Sequence, residues 1–269
     1  MAERPATYTH GHAESVLRSH RWRTVENSAA YVVDRLMPGT EVLDVGCGPG
    51  TITLDIAQRV APGRVVGVDA AGDAINAAQQ AATEAGLTTL ELAVGDVYAI
   101  DHPDDAFDVV HAHQVLQHLA DPIAALQEMR RVCRPGGVVA VRDSIYRAMS
   151  WFPADPALDR WLAVYCAVAE ANGGEPDAGS RLRSWALEAG FSGVEASASA
   201  WCYSDDDERA WWGGLWADRV STTALGARAV ELGLSDGVEI AAMADAWRRW
   251  AATPDAWFAV LHGEVLAAP

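Results

Sequence analysis

The sequence has 269 residues, half of them hydrophobic, which suffices for one large domain with a packed core and argues against global disorder. Its formal net charge of -17 repels phosphate backbones and anionic lipids, so we expect neither nucleic acid nor a membrane as a partner. The four cysteines form no Cys-x-x-Cys pair, which fits a reducing cytoplasm. Because the sequence has no signal-peptide pattern and no apolar run of about 20 residues, we expect a cytoplasmic protein.

The predicted elements begin with an amphipathic helix over Thr24–Met37, which stops at Pro38-Gly39. Residues 41–143 then alternate short apolar strands with helical segments, which predicts a parallel sheet with helices on both faces. The predicted strands are Glu41–Gly46, Arg64–Asp69, Thr89–Gly95, Phe107–Ala112 and Gly137–Asp143. The predicted helices between them are Thr51–Val60, Asp73–Ala85 and Pro122–Cys133.

Longer helices follow position 143. They are predicted at Ala157–Ala171, Ser180–Ala189, Asp205–Val220 and Asp236–Trp250, with strands at Gly193–Tyr203 and Trp257–Leu266. All tryptophans except Trp22 follow position 150, and they either pack helices onto the sheet or line an aromatic pocket. The acidic run 205–208 is interpreted as the first turn of a helix. Because its residues are consecutive, they would not converge on one ion, and no metal site is predicted.

A glycine-rich loop, VLDVGCGPG at residues 42–50, follows the first strand and opens a helix. Glycines allow a sharp turn and the close approach of a ligand, and the N–H groups at a helix N-terminus attract an anionic group. The spacing departs from the G-x-G-x-x-G pattern of dinucleotide enzymes, because Thr51 stands at the third glycine position. No Lys-Ser/Thr pair follows, so a P-loop is also disfavoured.

Two acidic residues follow neighbouring strands. Asp69 ends VVGVD at 65–69, where a carboxylate can accept hydrogen bonds from both hydroxyls of a ribose. Asp96 lies in VGDV at 94–97, where a carboxylate can accept from an adenine amino group. The carboxyl ends of parallel strands form the ligand crevice of an open α/β sheet. The two residues therefore predict an adenosine site at this edge.

The motifs occur in order over residues 40–145 and resemble those of class I S-adenosylmethionine-dependent methyltransferases. The series continues with FDVVHAHQVLQHLADP at 107–122 and RVCRPGGVVAVRD at 131–143. The resemblance points to the branch that includes ubiquinone and menaquinone C-methyltransferases. It implies a Rossmann-like α/β fold, with a seven-stranded, mostly parallel sheet, helices on both faces and helical insertions that form a cap.

The same resemblance divides the chain, which we interpret as one methyltransferase domain over residues 1–269. Its parts are an N-terminal lid and helix at 1–38, a cofactor-binding core at 39–144, cap insertions at 145–178 and 205–252, and the end of the sheet at 179–204 and 253–269. For the first residues, a solvated, frayed terminus is the alternative to a lid.

The resemblance also implies S-adenosyl-L-methionine as cofactor and S-adenosyl-L-homocysteine as product. The expected cofactor contacts are Tyr8 in the lid, Asp44 near the methionine amino group, Gly46, Gly48 and Gly50 in the loop, Asp69 on the ribose, Ala70 beside the adenine, Asp96 and Val97 on the adenine edge, and His113 at the methionine part.

Methyl transfer needs an acceptor lone pair in line with the S–CH3 bond, in a site that excludes water. A phenol or enol acceptor also gains from losing its proton, which a histidine can take. His113 and His118 are the candidate catalytic residues. The alternatives are a cofactor contact for His113 and the ordering of a turn for His118, while His111 is interpreted as a buried strand residue.

The methyl group is expected near the ends of the fourth and fifth strands, beside His113, Gln114, Asp143 and Tyr146. Above it, segments outside the core sheet would form an aromatic acceptor pocket. The tryptophans available for that pocket are Trp151, Trp161, Trp211, Trp212, Trp216, Trp247 and Trp250.

We therefore expect transfer of a methyl group to an O or C atom of a small, aromatic or hydrophobic acceptor. One alternative is a protein of this fold that binds S-adenosylmethionine for another task, such as a cyclase or a regulatory partner. A nicotinamide dehydrogenase is the other alternative, and the glycine spacing disfavours it. The acceptor's identity and the oligomeric state, including a homodimer, are left open by the sequence.

Overall fold

A sheet of eight strands organises residues 22–269, which are the residues that the structure, a computed structural model, describes. The strands are β1 (Val42–Val45), β2 (Val65–Asp69), β3 (Leu90–Val94), β4 (Phe107–His113), β5 (Cys133–Ser144), β6 (Ser150–Phe152), β7 (Gly193–Tyr203) and β8 (Trp257–Ala268). β1 to β5 are parallel, in the order β3-β2-β1-β4-β5. β8 pairs antiparallel with β5 and β6 on one edge and with β7 on the other.

Helices cover both faces of this sheet. Within the described part of the chain they are α1 (Val25–Ser28), α2 (Thr51–Val60), α3 (Gly72–Glu84), α4 (Pro122–Val132), α5 (Pro156–Ala171), α6 (Ala178–Glu188), α7 (Asp206–Thr222), α8 (Ala224–Glu231) and α9 (Gly237–Ala252). Successive residues of a strand point to opposite faces, so Val42 packs with α1 and α2 while Leu43 packs with α4 and α6. β1, β2 and β4 are apolar and almost wholly buried, which fits a sheet that is covered on both sides, whereas β3 at the edge is largely exposed.

The chain order reverses between β1 and β4. β2 and β3 follow on one side of β1, whereas β4 and β5 lie on the other side. The loops that leave the carboxyl ends of β1 and β4 therefore separate and leave a crevice, which is where open α/β sheets bind ligands. The predicted fold class is confirmed, with one short strand, β6, more than expected.

The prediction of one helix over Thr24–Met37 is wrong. α1 ends at Ser28, and a 3-10 helix follows at Ala30–Arg35. The indole Nε1 of Trp201 donates a hydrogen bond to the backbone oxygen of Asn27 at 2.5 Å. In a continuous helix, that oxygen would accept a hydrogen bond from the backbone N–H of residue 31. A contact from the distant strand β7 thus replaces the helical hydrogen bond at this point.

The other predicted helices and strands are present, with ends that differ by a few residues. The sequence reading missed β6 and α8, which have three and eight residues. The predicted start of β5, at Gly137, is also too late, because Cys133 already pairs with Phe107 of β4. A register shift then separates this pair from the next one, between Val138 and Val109. Along the described helices, none is long and apolar enough to cross a membrane.

A third hydrophobic core, separate from the two that contain Val42 and Leu43, lies between the sheet and the helices α5, α7, α8 and α9. Its centre is a group of indoles, in which the ring of Trp161 lies 4.6 Å from that of Trp216 and 4.7 Å from that of Trp247. Phe258 of β8 joins this core. Large aromatic side chains thus fix these helices against the part of the sheet next to the crevice.

Candidate active site

One cavity of about 410 Å³ lies at the carboxyl ends of the parallel strands. Its volume falls in the usual range of small-molecule sites, about 300–1,000 Å³. One side of the cavity is formed by the loops after β1, β2 and β3. The other side is formed by β7, α7 and the residues that precede α1.

The glycine loop after β1 forms the floor of the first side. Gly46 has a φ of +68°, and a Cβ atom there would lie 2.4 Å from Cγ2 of Val115. A larger residue is thus excluded by the backbone conformation and by the loop after β4. Gly46 and Gly48 line the cavity, whereas Gly50 lies behind it as the N-cap of α2. A Cβ atom on Gly50 would lie 2.9 Å from Cβ of Ala78, so this glycine allows α2 and α3 to pack closely.

Asp44 lies beneath the loop and is buried. Its carboxylate accepts a hydrogen bond from Oγ1 of Thr53 at 2.6 Å and lies 2.7 Å from Nδ1 of His111. These contacts tie β1 to α2 and to β4. Asp44 borders a small cleft with Gly46 and His113, next to the main cavity. His111 is a fully buried strand residue, as the sequence predicted.

Asp69 and Asp96 both line the cavity. Oδ2 of Asp69 accepts from the backbone N–H of Gly48 at 2.9 Å, and Oδ1 accepts from that of Ala71 at 2.8 Å. Oδ1 of Asp96 accepts from the N–H of Tyr98 at 2.9 Å. Each carboxylate has about four lone-pair sites, so both retain acceptors for a ligand. Carboxylates beside glycine backbone form a set of groups that fits the hydroxyls and amino group of an adenosine.

Ala70 and Val97, the residues that follow Asp69 and Asp96, also line the cavity. The structure therefore brings together Gly46, Gly48, Asp69, Ala70, Asp96, Val97, His113 and His118 of the predicted site residues. Tyr8 lies outside the described residues.

His113 ends β4 where the two sides of the cavity meet. It is buried, and neither of its ring nitrogens has a hydrogen-bond partner among the residues described. Burial lowers the pKa of His113 well below its usual value, and the charges of Arg23 and Arg142 lower it further. His113 is thus a neutral imidazole at neutral pH.

His118 lies in the short 3-10 turn after β4 and also lines the cavity. Burial, together with the charges of Arg23 and Arg219, lowers the pKa of His118 to about 3. Its Nε2 lies 3.1 Å from Nε2 of Gln117. This histidine is therefore also neutral at neutral pH.

Gln114 has a φ of +54°, a conformation that few residues other than glycine adopt. Its Oε1 accepts from Arg23 at 2.5 Å, and its Nε2 donates to Oγ of Ser144 at 2.7 Å. Nε2 also lies 2.9 Å from Nε2 of His262. Gln114 thus connects the ends of β4 and β5 and the middle of β8 with the chain before α1.

The expectation that Asp143 lies beside the transferred methyl is not met. Asp143 is fully buried outside the cavity lining, and its Oδ1 accepts from the backbone N–H of Gln117 at 3.2 Å. Burial raises the pKa of Asp143 to about 8. Neighbouring residues of a strand point to opposite faces, so Asp143 holds the turn after β4 while Ser144 lines the cavity. Tyr146 lines the cavity as expected.

Aromatic side chains form the second side of the cavity. Trp201 and Tyr203 come from β7, and Trp211, Trp212 and Trp216 come from α7. The rings of Tyr203 and Trp212 stack with their centroids 4.3 Å apart. We call these five residues the aromatic wall. The other tryptophans expected here, Trp151, Trp161, Trp247 and Trp250, belong instead to the core beneath the helices or pack against it.

Two residues before α1, Trp22 and Arg23, complete the second side. The ring centroid of Trp22 lies 5.2 Å from that of Trp201 and 5.7 Å from that of Trp211. The sequence reading missed Arg23 and also Arg219 of α7, which lines the same side. No motif marked them, and only the fold brings them to the cavity.

Comparisons with known proteins agree with this geometry. A family described as "Methyltransferase domain" matches residues 36–190. An uncharacterized methyltransferase of Schizosaccharomyces pombe is 31% identical over 267 residues, which are 96% of this chain and 95% of that protein. A demethylmenaquinone methyltransferase of Listeria monocytogenes is 32% identical over 132 residues, 49% of this chain and 52% of that protein. The solved structure of the [4+2]-cyclase SpnF covers 98% of this chain and 89% of its own, with a TM-score of 0.53 and 21% identity, which shows a shared fold.

Proposed function

Since this chain belongs to the class I S-adenosylmethionine-dependent methyltransferases, we propose that it transfers a methyl group to an oxygen or carbon atom of a small, aromatic or hydrophobic acceptor. The observation that carries this proposal is the division of one cavity into two chemically different halves. Carboxylates and glycines line one half, and the aromatic wall lines the other. A polar half beside an aromatic half matches a nucleoside cofactor beside an apolar acceptor.

We assign the polar half to the adenosine of the cofactor. In this proposal Asp69 accepts hydrogen bonds from the ribose hydroxyls, and Asp96 accepts one from the adenine amino group. Ala70 and Val97 would flank the adenine ring. The free lone pairs of both carboxylates support these roles, since each oxygen can accept from a ligand as well as from the backbone.

Gly46, Gly48 and Asp44 are proposed to hold the methionine part of the cofactor. Both glycines line the cavity, and Asp44 borders the cleft next to Gly46. Gly50 acts at a distance in this proposal, because its role is to let α2 and α3 pack behind the loop.

Bound S-adenosylmethionine supplies a methyl group on a positively charged sulfur, which is already activated for transfer. The protein's task is then to align the acceptor, exclude water and manage a proton. We propose His113 and, second to it, His118 as the groups that take a proton from a hydroxyl acceptor. Both are neutral at neutral pH because of their lowered pKa values, so neither adds a charge beside the sulfonium, and the same low pKa values make both of them weak bases.

The proposal is tested by incubating the full chain with S-adenosylmethionine carrying a labelled methyl group. One acceptor panel contains phenols, hydroquinones and enolisable diketones, and a matched panel contains aliphatic amines and amino acids. We expect labelled methyl ethers or C-methyl products from the first panel, found by mass spectrometry. Label transferred to the amines alone would contradict the acceptor class. Conversion of an acceptor without consumption of the label would favour the alternative of a cofactor-bound cyclase.

A further inference from the structure

Building on the proposed function, we propose that Arg142 is a positioning residue for the acceptor half of the cavity. Its buried guanidinium is held by Glu264 and Ser199, and it fixes the indole of Trp201 in the aromatic wall. Arg142 itself lies outside the cavity lining, so it acts on the acceptor through Trp201. The role depends on the proposed function only in that the acceptor binds against the wall.

Arg142 is an arginine in the interior of the protein. It lies near the end of β5 and is only 1% exposed, and its partner Glu264 is 6% exposed. Taking two charges out of water costs so much free energy that a buried ion pair adds little to stability, compared with apolar side chains of similar size. The pair therefore points to a task other than stability, and its neighbours show what it holds in place.

The register of three strands brings the ion pair next to the aromatic wall. Arg142 of β5 stands opposite Glu264 of β8, and Glu264 stands opposite Ser197 of β7. Residues two apart in a strand share a face, so Ser199 and Trp201 lie on the same face as Ser197. One face of the sheet thus carries the ion pair, two serines and the first residue of the wall.

Hydrogen bonds from two strands fix the direction of the guanidinium. Nε of Arg142 donates to Oε1 of Glu264 at 3.1 Å, and Nη2 donates to Oγ of Ser199 at 3.1 Å. The hydroxyl of Ser199 donates in turn to Oε1 of Glu264, while that of Ser197 donates to Oε2 at 2.8 Å. The carboxylate is thus anchored at both oxygens, and the planar guanidinium is held on two sides.

The guanidinium of Arg142 lies over the indole of Trp201, with its carbon 4.8 Å from the ring centroid. A cation within about 6 Å of an aromatic ring is attracted to its face, and more strongly where both groups are out of water. Arg23 is farther from the same ring, with its guanidinium carbon at 5.6 Å. Trp201 is 5% exposed, and its Nε1 donates to the backbone oxygen of Asn27. The indole is thus held at its N–H by α1 and at its face by Arg142.

The orientation of Trp201 matters because its indole borders the proposed site of transfer. Its ring centroid lies 5.6 Å from that of His113 and 5.2 Å from that of Trp22. An aromatic acceptor packed against this indole would take its distance and angle to His113 from it. Loss of Arg142 should therefore weaken acceptor binding and leave cofactor binding unchanged, because the adenosine lies in the other half of the cavity.

The test replaces the ion pair as a unit, Arg142→Met together with Glu264→Gln, so that no unpaired charge stays buried. Nuclear magnetic resonance of the isotopically labelled full chain follows the indole N–H signals, and the loss of one signal in Trp201→Phe identifies that of Trp201. We expect this N–H to exchange with deuterium at least about tenfold faster in the pair variant, because the indole has lost the cation on its face. The other protected indole signals should keep their rates, whereas a general loss of stability would raise them as well.

Two further variants and a control accompany the pair variant. Ser199→Ala removes one anchor at a half-buried site, so it should fold and should speed up the exchange at Trp201 to a smaller extent. Arg142→Lys keeps the charge without the planar fork and should retain part of the protection. The matched control is Arg160→Met with Glu239→Gln, an ion pair at 3.0 Å between α5 and α9 outside the cavity lining, which should leave the Trp201 signal unchanged.

Binding is then measured in two steps. Calorimetry with S-adenosylhomocysteine tests the proposed function by itself. A wild-type chain that does not bind this ligand would contradict that function, while the exchange at Trp201 still tests the position of the indole. The loaded protein is next titrated with 2-naphthol, an aromatic hydroxyl compound. We expect 2-naphthol to shift the Trp201 signal and to bind at least about fivefold more weakly to the pair variant, with an unchanged affinity for S-adenosylhomocysteine.

The positioning role is overturned if the Trp201 N–H exchanges as slowly in the pair variant as in the control. Ser199→Ala decides this point alone if the pair variant does not fold. The link to the acceptor is overturned if 2-naphthol leaves the Trp201 signal of the wild-type chain unshifted, or if the pair variant binds it as tightly as the wild type does.

Discussion

Single side chains at the strand ends combine a structural task with a proposed binding task. Asp69 fixes the glycine loop through the N–H of Gly48 and the start of α3 through the N–H of Ala71. The same carboxylate borders the cavity, so the loop and a bound ribose would share one anchor. Asp96 has a lighter structural task, with one hydrogen bond from the N–H of Tyr98.

Replacing Asp69 by alanine should therefore weaken S-adenosylhomocysteine binding by about 1.5–3 kcal/mol, the range for hydrogen bonds to a charged group. Calorimetry measures this loss. The control is Asp73→Ala, because Asp73 is exposed in the first turn of α3 and lies outside the cavity lining. An unchanged dissociation constant for Asp69→Ala would show that the ribose is held elsewhere.

The residues of the polar half could be predicted because they follow strand ends at fixed positions in the chain. Asp69 ends an apolar strand, Gly46 follows one directly and Asp96 stands two residues beyond one, and parallel strands bring such ends together. Arg219 could not be found in this way. It is one of 20 basic residues, its helix carries no motif, and its position in the cavity depends on how α7 packs against β7.

At the level of elements, the chain before α1 closes the aromatic half of the cavity. Trp22 contacts the rings of Trp201, Tyr203 and Trp211, and Trp201 in turn donates to Asn27. This hydrogen bond also explains why the helical pattern over residues 24–37 was misleading. The hydrophobic periodicity of these residues carries no information about a contact with a strand about 170 residues away. The strand β6 was missed for a similar reason, since three residues give no period to recognise.

We predict that Trp22→Ala raises the KM for the acceptor by about tenfold. The variant loses the ring contact between Trp22 and an aromatic acceptor, and one aromatic pair contributes about 0.5–1.5 kcal/mol. The affinity for S-adenosylhomocysteine should stay the same, since Trp22 lies on the acceptor side. Steady-state kinetics with the acceptor found in the labelling screen would measure the change. Trp257→Ala is the matched control, as Trp257 is 39% exposed at the start of β8. Equal KM values for the two variants would rule out a role of Trp22 at the acceptor site.

For the molecule as a whole, the buried ionisable groups set how stability depends on pH. Burial lowers the pKa values of His113, His118 and His262 from the usual 6.5, so below that pH the unfolded chain binds more protons than the folded protein. Stability is therefore lost as the pH falls below 6.5. Asp143 acts in the opposite direction. Its pKa of about 8 exceeds the usual 3.8, so its contribution is lost as the pH rises toward 8.

The two effects predict a maximum of stability near pH 6.5. Below that pH the loss of stability from three histidines is larger than the gain from one aspartate. Between pH 6.5 and 8, Asp143 should lower the free energy of unfolding by about 2 kcal/mol. Asp143→Asn should remove this alkaline decline, whereas Asp245→Asn, at an exposed site, should keep it. Urea unfolding across this range measures both. A decline of equal size in the two variants would mean that another group causes it.

The measurement that bears most directly on the two-sided cavity is a crystal structure with S-adenosylhomocysteine. We expect the ribose hydroxyls within hydrogen-bonding distance of Asp69 and the adenine amino group at Asp96. The sulfur should face His113 and Gln114, where the aromatic wall begins. Density for the adenosine between Trp211 and Trp212, or no density in the cavity at a saturating concentration of the ligand, would contradict the assignment of both halves.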